Sequence, residues 1–175
     1  MLFSGALGKL FPADVSTRRF FVIGSICGAV PDFDVIGMWA GIPYESVFGH
    51  RGFSHSILFA ALLAFLVMAA AFSSEQIRSK RFWAMWSYFF VATVSHPILD
   101  AMTTGGLGVA FFSPFSNARY FFPYRPIRVS PIGIGAFISA RGLSVLRSEL
   151  VYIWIPSLLV VLLAGLARRR RKVSE

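Results

Sequence analysis

The sequence predicts an all-α integral membrane protein of about four transmembrane helices with a long interfacial loop. Three observations predict it. The 175 residues are 56% hydrophobic and only 14% charged, with a mean hydropathy of +0.67, whereas soluble domains carry about a quarter charged residues. Four stretches approach the length of about 20 mostly apolar residues that a helix needs to cross about 30 Å of hydrocarbon. The basic residues gather in short clusters at the edges of those stretches, as at Arg18-Arg19, 78–81 and 168–172. The formal charge of +9 is therefore expected to set topology and meet anionic lipid rather than nucleic acid.

The four expected spans are residues 20–36, 53–72, 82–102 and 150–167. Ahead of the first, "MLFSGALGKLFPADVSTRRFF" lacks the basic start, apolar core and small-residue cleavage site of a secretory signal, so no cleaved signal peptide is expected. The single cysteine, Cys27, lies in an apolar stretch and reads as a small apolar residue. The second and fourth spans, "ILFAALLAFLVMAAAF" and "VYIWIPSLLVVLLAGLA", are uninterrupted by charge. The first and third carry Asp32 and Asp34, and His96 and Asp100, at one end. Between the third and fourth lies a loop rich in Gly, Pro, Phe and Arg, expected to rest its aromatics at the head-group level. Its last part, 135–149, suits an amphipathic helix on the membrane surface. No internal repeat or linker stands out, so residues 1–175 read as one domain.

With both termini cytoplasmic, the inside segments hold eleven basic residues: Lys9, Arg18, Arg19, Arg78, Lys80, Arg81, Arg168 to Arg171 and Lys172. The outside segments hold six, namely Arg51, Arg119, Arg125, Arg128, Arg141 and Arg147. The balance favours both ends inside, although five arginines in one outside loop need a further reason, such as packing on the membrane surface or lining an anion site.

On this topology Asp32, Asp34, His50, His55, His96 and Asp100 fall at one membrane face. They are all three histidines and three of the four aspartates of the chain, Asp14 being the other. His96 and Asp100, four apart, share one face of a helix, provided that Pro97 sits in a first turn or kink. Asp32 and Asp34 are two apart and point together only in a turn, which Pro31 favours. His50 and His55 frame a turn-like Arg51-Gly52, and Ser54 or Ser56 suits the cap of the next helix. Mixed imidazole and carboxylate ligands suit zinc, manganese or iron; zinc is the leading expectation, with manganese or magnesium as alternatives. A metal held there would acidify water toward neutral pH and help to hold a phosphate.

Each residue alone has a blander reading. A lone histidine near an interface is usually a hydrogen-bonded, half-wet side chain, and an aspartate after proline usually forms a turn. Arg51 either neutralises a substrate phosphate or pairs with Asp32 or Asp34. The cluster is also compatible with an ion or proton relay, or with a structural knot at helix ends. A serine nucleophile at Ser54 or Ser95 lacks the Gly-x-Ser-x-Gly elbow.

The stretches "PDFD", "HRGFSHS", "HPILDAMTTGG" and "FFSPFSN" carry a resemblance. Over residues of about 24–135 the chain resembles the bacterial LexA-regulated, membrane-bound metal-dependent hydrolases of the inner membrane. The resemblance implies Asp32, Asp34, His50, His55, His96 and Asp100 as metal ligands or catalytic groups, and draws attention to Arg51, Gly52, Ser54 and Thr103. It also implies hydrolysis of a phosphoester or other ester bond of a membrane-associated, lipid-like substrate, with Asp32, Asp34 and Arg51 nearest the chemistry. The family carries a histidine near its N-terminus that "MLFSGALGKLF" lacks; either the natural start lies upstream of Met1, the favoured expectation, or the site is built with fewer ligands.

Overall fold

The computed structural model describes residues 17–130, 135 and 138–173, the side chains of the last helical residues, 167–173, excepted. The expectations about the N-terminal segment, and about residues 136–137 of the amphipathic helix, lie outside the described residues. Among the described residues the regular structure is helical, with two isolated β-bridges, Thr103 with Ile127 and Val109 with Tyr120.

Helix α1, Arg18–Cys27, starts at Thr17, whose hydroxyl accepts from the Phe20 amide at 3.3 Å. It stops at Gly28 and gives way to a 3-10 turn, Val30–Asp34, with Pro31 in its first positions, where the missing N–H is harmless. A short helix α2, Val35–Trp39, follows. The expected first span is thus bent by 43° between its two halves, and the bend carries Asp32 and Asp34. Three residues per turn set side chains two apart about 120° from each other, so the two carboxylates leave this turn in different directions.

A second 3-10 turn, Phe53–His55, leads into α3, Ile57–Ala71. Ser56 is the cap, its hydroxyl accepting from the Phe59 amide at 3.0 Å, which frees Ser54 for another role. Helix α4, Lys80–Ala101, is capped by Ser79 and runs on past Pro97, so His96 and Asp100 stay one turn apart on one face.

The core lies between α1, α3 and α4. Ala60, Ala64 and Met68, four apart on α3, are buried, and Phe20, Met85, Tyr88 and Phe89 close the other sides. Tyr88 stacks on Phe20 at 4.1 Å between ring centroids. Gly24 permits it, since any Cβ there would run into the Tyr88 ring and hydroxyl.

The loop after α4 folds back over the polar end of this bundle. It is tied by Ala110 N–H to Arg51 O at 3.0 Å, Ile57 N–H to Phe111 O at 3.0 Å and Phe122 N–H to Ala101 O at 2.9 Å. Helix α5, Ala140–Glu149, continues through a π turn, Leu150–Trp154, into α6, Ile155–Val173. The expected surface helix and fourth span are therefore one helical run. The π turn sits just before Pro156, whose ring would press on a carbonyl one turn back in a regular helix. Within this run Ala140–Leu166, whose most apolar 18-residue stretch has mean hydropathy 2.1, is long and apolar enough to cross a membrane, and the bent pair of α1 with the 3-10 turn and α2 qualifies when taken together. Leu158, Leu159, Leu162, Leu163 and Leu166 stand exposed, a face suited to hydrocarbon.

Candidate metal centre

Four side chains from three separate segments converge at the polar end of the bundle. Asp32 comes from the first 3-10 turn, His55 from the second, and His96 and Asp100 from the last turns of α4; one ligand atom from each lies within 4.8 Å of all the others. His96 Nε2 is 3.2 Å from Asp32 Oδ1 and 3.7 Å from Asp100 Oδ2, and His55 Nε2 is 3.2 Å from that same Oδ2. Ligand atoms bound tetrahedrally at about 2.0–2.1 Å from zinc stand about 3.3–3.4 Å apart, so a modest contraction closes the set on one ion. The side chains of His55, Asp100 and His96 are 0%, 17% and 19% exposed, that of Asp32 56%. The centre is closed on the protein side and open at Asp32.

The chemistry of the donor atoms supports a cation. His55 Nε2, His96 Nε2 and Asp100 Oδ2 are buried without a hydrogen-bond partner, a costly state for polar atoms that a shared metal would relieve. The other ring nitrogens fix which ones are free. His96 Nδ1 lies 3.0 Å from Gly28 O, a carbonyl that only accepts, so Nδ1 carries a proton and Nε2 is the nitrogen that the neutral ring offers to a metal. Gly28 is available because the carbonyls at a helix C-terminal end have no helical partner. His55 Nδ1 faces Asp34 Oδ2 and Ser54 Oγ, both at 3.0 Å; the Ser54 hydroxyl donates to Asp34 Oδ2 at 2.6 Å, so Nδ1 is again the donor. Imidazoles anchored at Nδ1 and open at Nε2 are the usual form of a metal ligand.

Asp34 and His50, expected among the ligands, stand behind the centre. Asp34 accepts from His50 Nδ1 at 2.6 Å, Arg51 N–H at 3.0 Å, Ser54 Oγ at 2.6 Å and His55 Nδ1 at 3.0 Å. A carboxylate offers about four lone-pair sites, so Asp34 has little left for a metal. His50 reaches Asp34 from the far side and packs edge-on against Tyr44.

Arg51 pairs with neither Asp32 nor Asp34 through its side chain. Its Nη2 donates to Asp100 Oδ1 at 3.0 Å and its Nη1 to Thr103 Oγ1 at 3.2 Å and Gly105 O at 3.0 Å. Nε is 3.0 Å from Asp100 Oδ2 but out of hydrogen-bonding line, which leaves that oxygen available to a cation. The side chain is 6% exposed, so its charge serves the site from inside. Arg51 adopts φ 60°, the left-handed region that L residues avoid; this turns its amide to Asp34 while its side chain goes to Asp100. Gly52 lies against the Val47 carbonyl, where a Cβ would collide.

Three contributors carry no sequence signal of their own. Arg119 donates to Tyr44 O at 2.7 Å and His50 O at 3.0 Å, and its guanidinium lies 5.1 Å over the Tyr44 ring. Gly28 contributes only a carbonyl. Tyr44 is half-buried against Gly106, and burial raises its phenol above the ordinary tyrosine value. Arg119, one of the five arginines of the loop after α4, is thus committed to internal acceptors.

The family model described as YdjM inner membrane protein matches residues 1–171. The chain is 36% identical to Inner membrane protein YbcI of Escherichia coli (strain K12) over 158 residues, which cover 89% of this chain and 88% of that protein. It is 30% identical over 116 residues to Uncharacterized protein YvsG of Bacillus subtilis (strain 168), covering 63% of this chain and 56% of that protein. No solved structure matches.

Proposed function

Because the chain belongs to the YdjM inner membrane protein family, we propose that it is a multi-pass protein of the bacterial inner membrane. We infer that Asp32, His55, His96 and Asp100 hold a divalent metal, zinc first, and that the centre hydrolyses an ester or phosphoester bond of a membrane-associated substrate. The observation that carries the metal is the convergence of three buried, unpartnered donor atoms on one point.

A divalent ion held by these residues would supply Lewis-acid polarisation and acidify water toward neutral pH. The chain's own residues do the rest. His55 and His96 present Nε2, held by Asp34, Ser54 and Gly28 O. Asp100 bridges the centre to Arg51, which offsets its charge. Asp32, the exposed carboxylate, has a second oxygen besides its ligand atom that would take a proton from an incoming water. Phe33 beside Asp32 and Phe48 near His50 are exposed at 64% and 69%, apolar surface suited to a lipid-like substrate.

The test is turnover of phosphodiester, carboxylic ester and phospholipid substrates by detergent-solubilised protein. Hydrolysis that a chelator abolishes and that His96→Ala lowers by at least 100-fold is expected. A second reading, a metal-tied structural knot, draws on the way the cluster joins three separate segments. Chelation that lowers the unfolding temperature of a metal-loaded protein showing no turnover on any substrate would favour the knot.

The proposed topology has four crossings: the bent pair of α1 with α2, then α3 with its leading turn, α4, and Ala140–Leu166, both termini cytoplasmic. Helix α4 has 22 residues, about 33 Å at 1.5 Å per residue, while α3 alone, 15 residues, gives about 22 Å and needs the turn before it. Reporter fusions after Ser79 and after Ser116 should read cytoplasmic and outside respectively. A cytoplasmic signal at Ser116 would place the centre on the cytosolic face.

A further inference from the structure

Away from the His/Asp cluster, the loop after α4 and the first turns of α5 form a half-open pocket of about 160 Å3, lined by Thr104, Arg128, Val129, Arg141, Ser144 and Val145. Its walls are tied together. Arg128 N–H donates to Ser148 Oγ at 2.9 Å, joining the loop to α5, and Val129 N–H donates to Thr104 Oγ1 at 3.3 Å. Val145 forms a fully buried floor. The volume suits one tetrahedral oxyanion or a few waters.

The charge of the pocket lacks a counterpart. The arginine ion pairs among the described residues are Arg51 with Asp100 and Arg81 with Glu75, so no described carboxylate answers Arg128 or Arg141. Arg128 and Arg141 both line the pocket and are exposed, and the planar fork of a guanidinium matches the oxygens of a phosphate. Thr104 accepts through Oγ1 from Val129 and keeps its O–H to donate, as does Ser144. Every polar side chain lining the pocket is thus able to donate to an anion, and no acidic one opposes it.

We propose that this pocket binds a phosphate-type oxyanion, either free phosphate or the phosphate of an anionic lipid head group. Its wall residue Thr104 follows Thr103, whose hydroxyl accepts from Arg51 and donates to Asp100 O at 2.7 Å. The anion site does not depend on metal or turnover.

The experiment compares wild type with Arg128→Gln/Arg141→Gln, two exposed positions where neutral side chains leave the core untouched. In detergent, inorganic phosphate is titrated at constant ionic strength and the unfolding temperature read. In parallel, both proteins are placed in nanodiscs of phosphatidylglycerol or of phosphatidylcholine. A phosphate response at least 10-fold weaker in the double variant identifies free phosphate. Stabilisation by phosphatidylglycerol over phosphatidylcholine that the double variant loses identifies a head group. The proposal is overturned if neither phosphate nor phosphatidylglycerol stabilises wild type, or if the double variant keeps the full response to both.

Discussion

Arg51→Ala is expected to lower the unfolding free energy by about 3–5 kcal/mol, the usual cost of removing one partner of a buried ion pair. Arg51 is 5% exposed, and its guanidinium donates to Asp100, Thr103 and Gly105 O. Alanine leaves that carboxylate and that carbonyl without their donors and opens a gap under Gly106, which packs against the Arg51 Nη1 and the Tyr44 hydroxyl. For a chain of this size the loss corresponds to a fall of roughly 6–20 °C in the unfolding temperature. It should be read on chelator-treated protein, so that metal loss does not contribute. Arg51→Lys keeps the charge but not the fork and should fall in between. A fall of less than about 2 °C for alanine, less than 1 kcal/mol on that scale, would mean that Arg51 points to solvent and is free to meet substrate.

Asp34→Ala is expected to weaken metal binding by about 10–100-fold, the range found when the partner that orients a ligand is removed. Asp34 accepts from His50, Arg51, Ser54 and His55, and without it the His55 ring loses the acceptor that helps hold Nε2 toward the centre. Competition with a metal-binding dye gives the affinities of wild type, Asp34→Ala and His96→Ala. The geometry requires His96→Ala to lose more than Asp34→Ala. Equal losses would make Asp34 a direct ligand.

Helical periodicity made part of this site legible. His96 and Asp100 sit four apart, and α4 keeps that spacing through Pro97; the gathering of scarce histidines and aspartates marked the face. The division of labour within the cluster was not legible. Whether Asp32 and Asp34 point together depends on the turn they occupy, and the 3-10 geometry of Val30–Asp34 sends one to His96 and the other to His55 and His50. The partner of Arg51 is 49 residues away, a distance over which a single sequence carries no pairing signal. Gly28 O is a backbone atom of the kind every residue offers. For the fold, the change from polar to apolar residues near Leu150 suggested two elements, but backbone hydrogen bonding is indifferent to that change and the helix runs on. The apolar count of 20–36 likewise says nothing of the 43° bend within it, which is what delivers Asp32 to the centre.

The central claim is that Asp32, His55, His96 and Asp100 form a metal centre. Its most direct test is the metal content of purified protein by elemental analysis, wild type against His55→Ala/His96→Ala, with circular dichroism to show that both are helical. About one divalent ion per chain in wild type and its loss from a folded double variant is the predicted result. Equal metal content in the two proteins, whether near zero or stoichiometric, would contradict it.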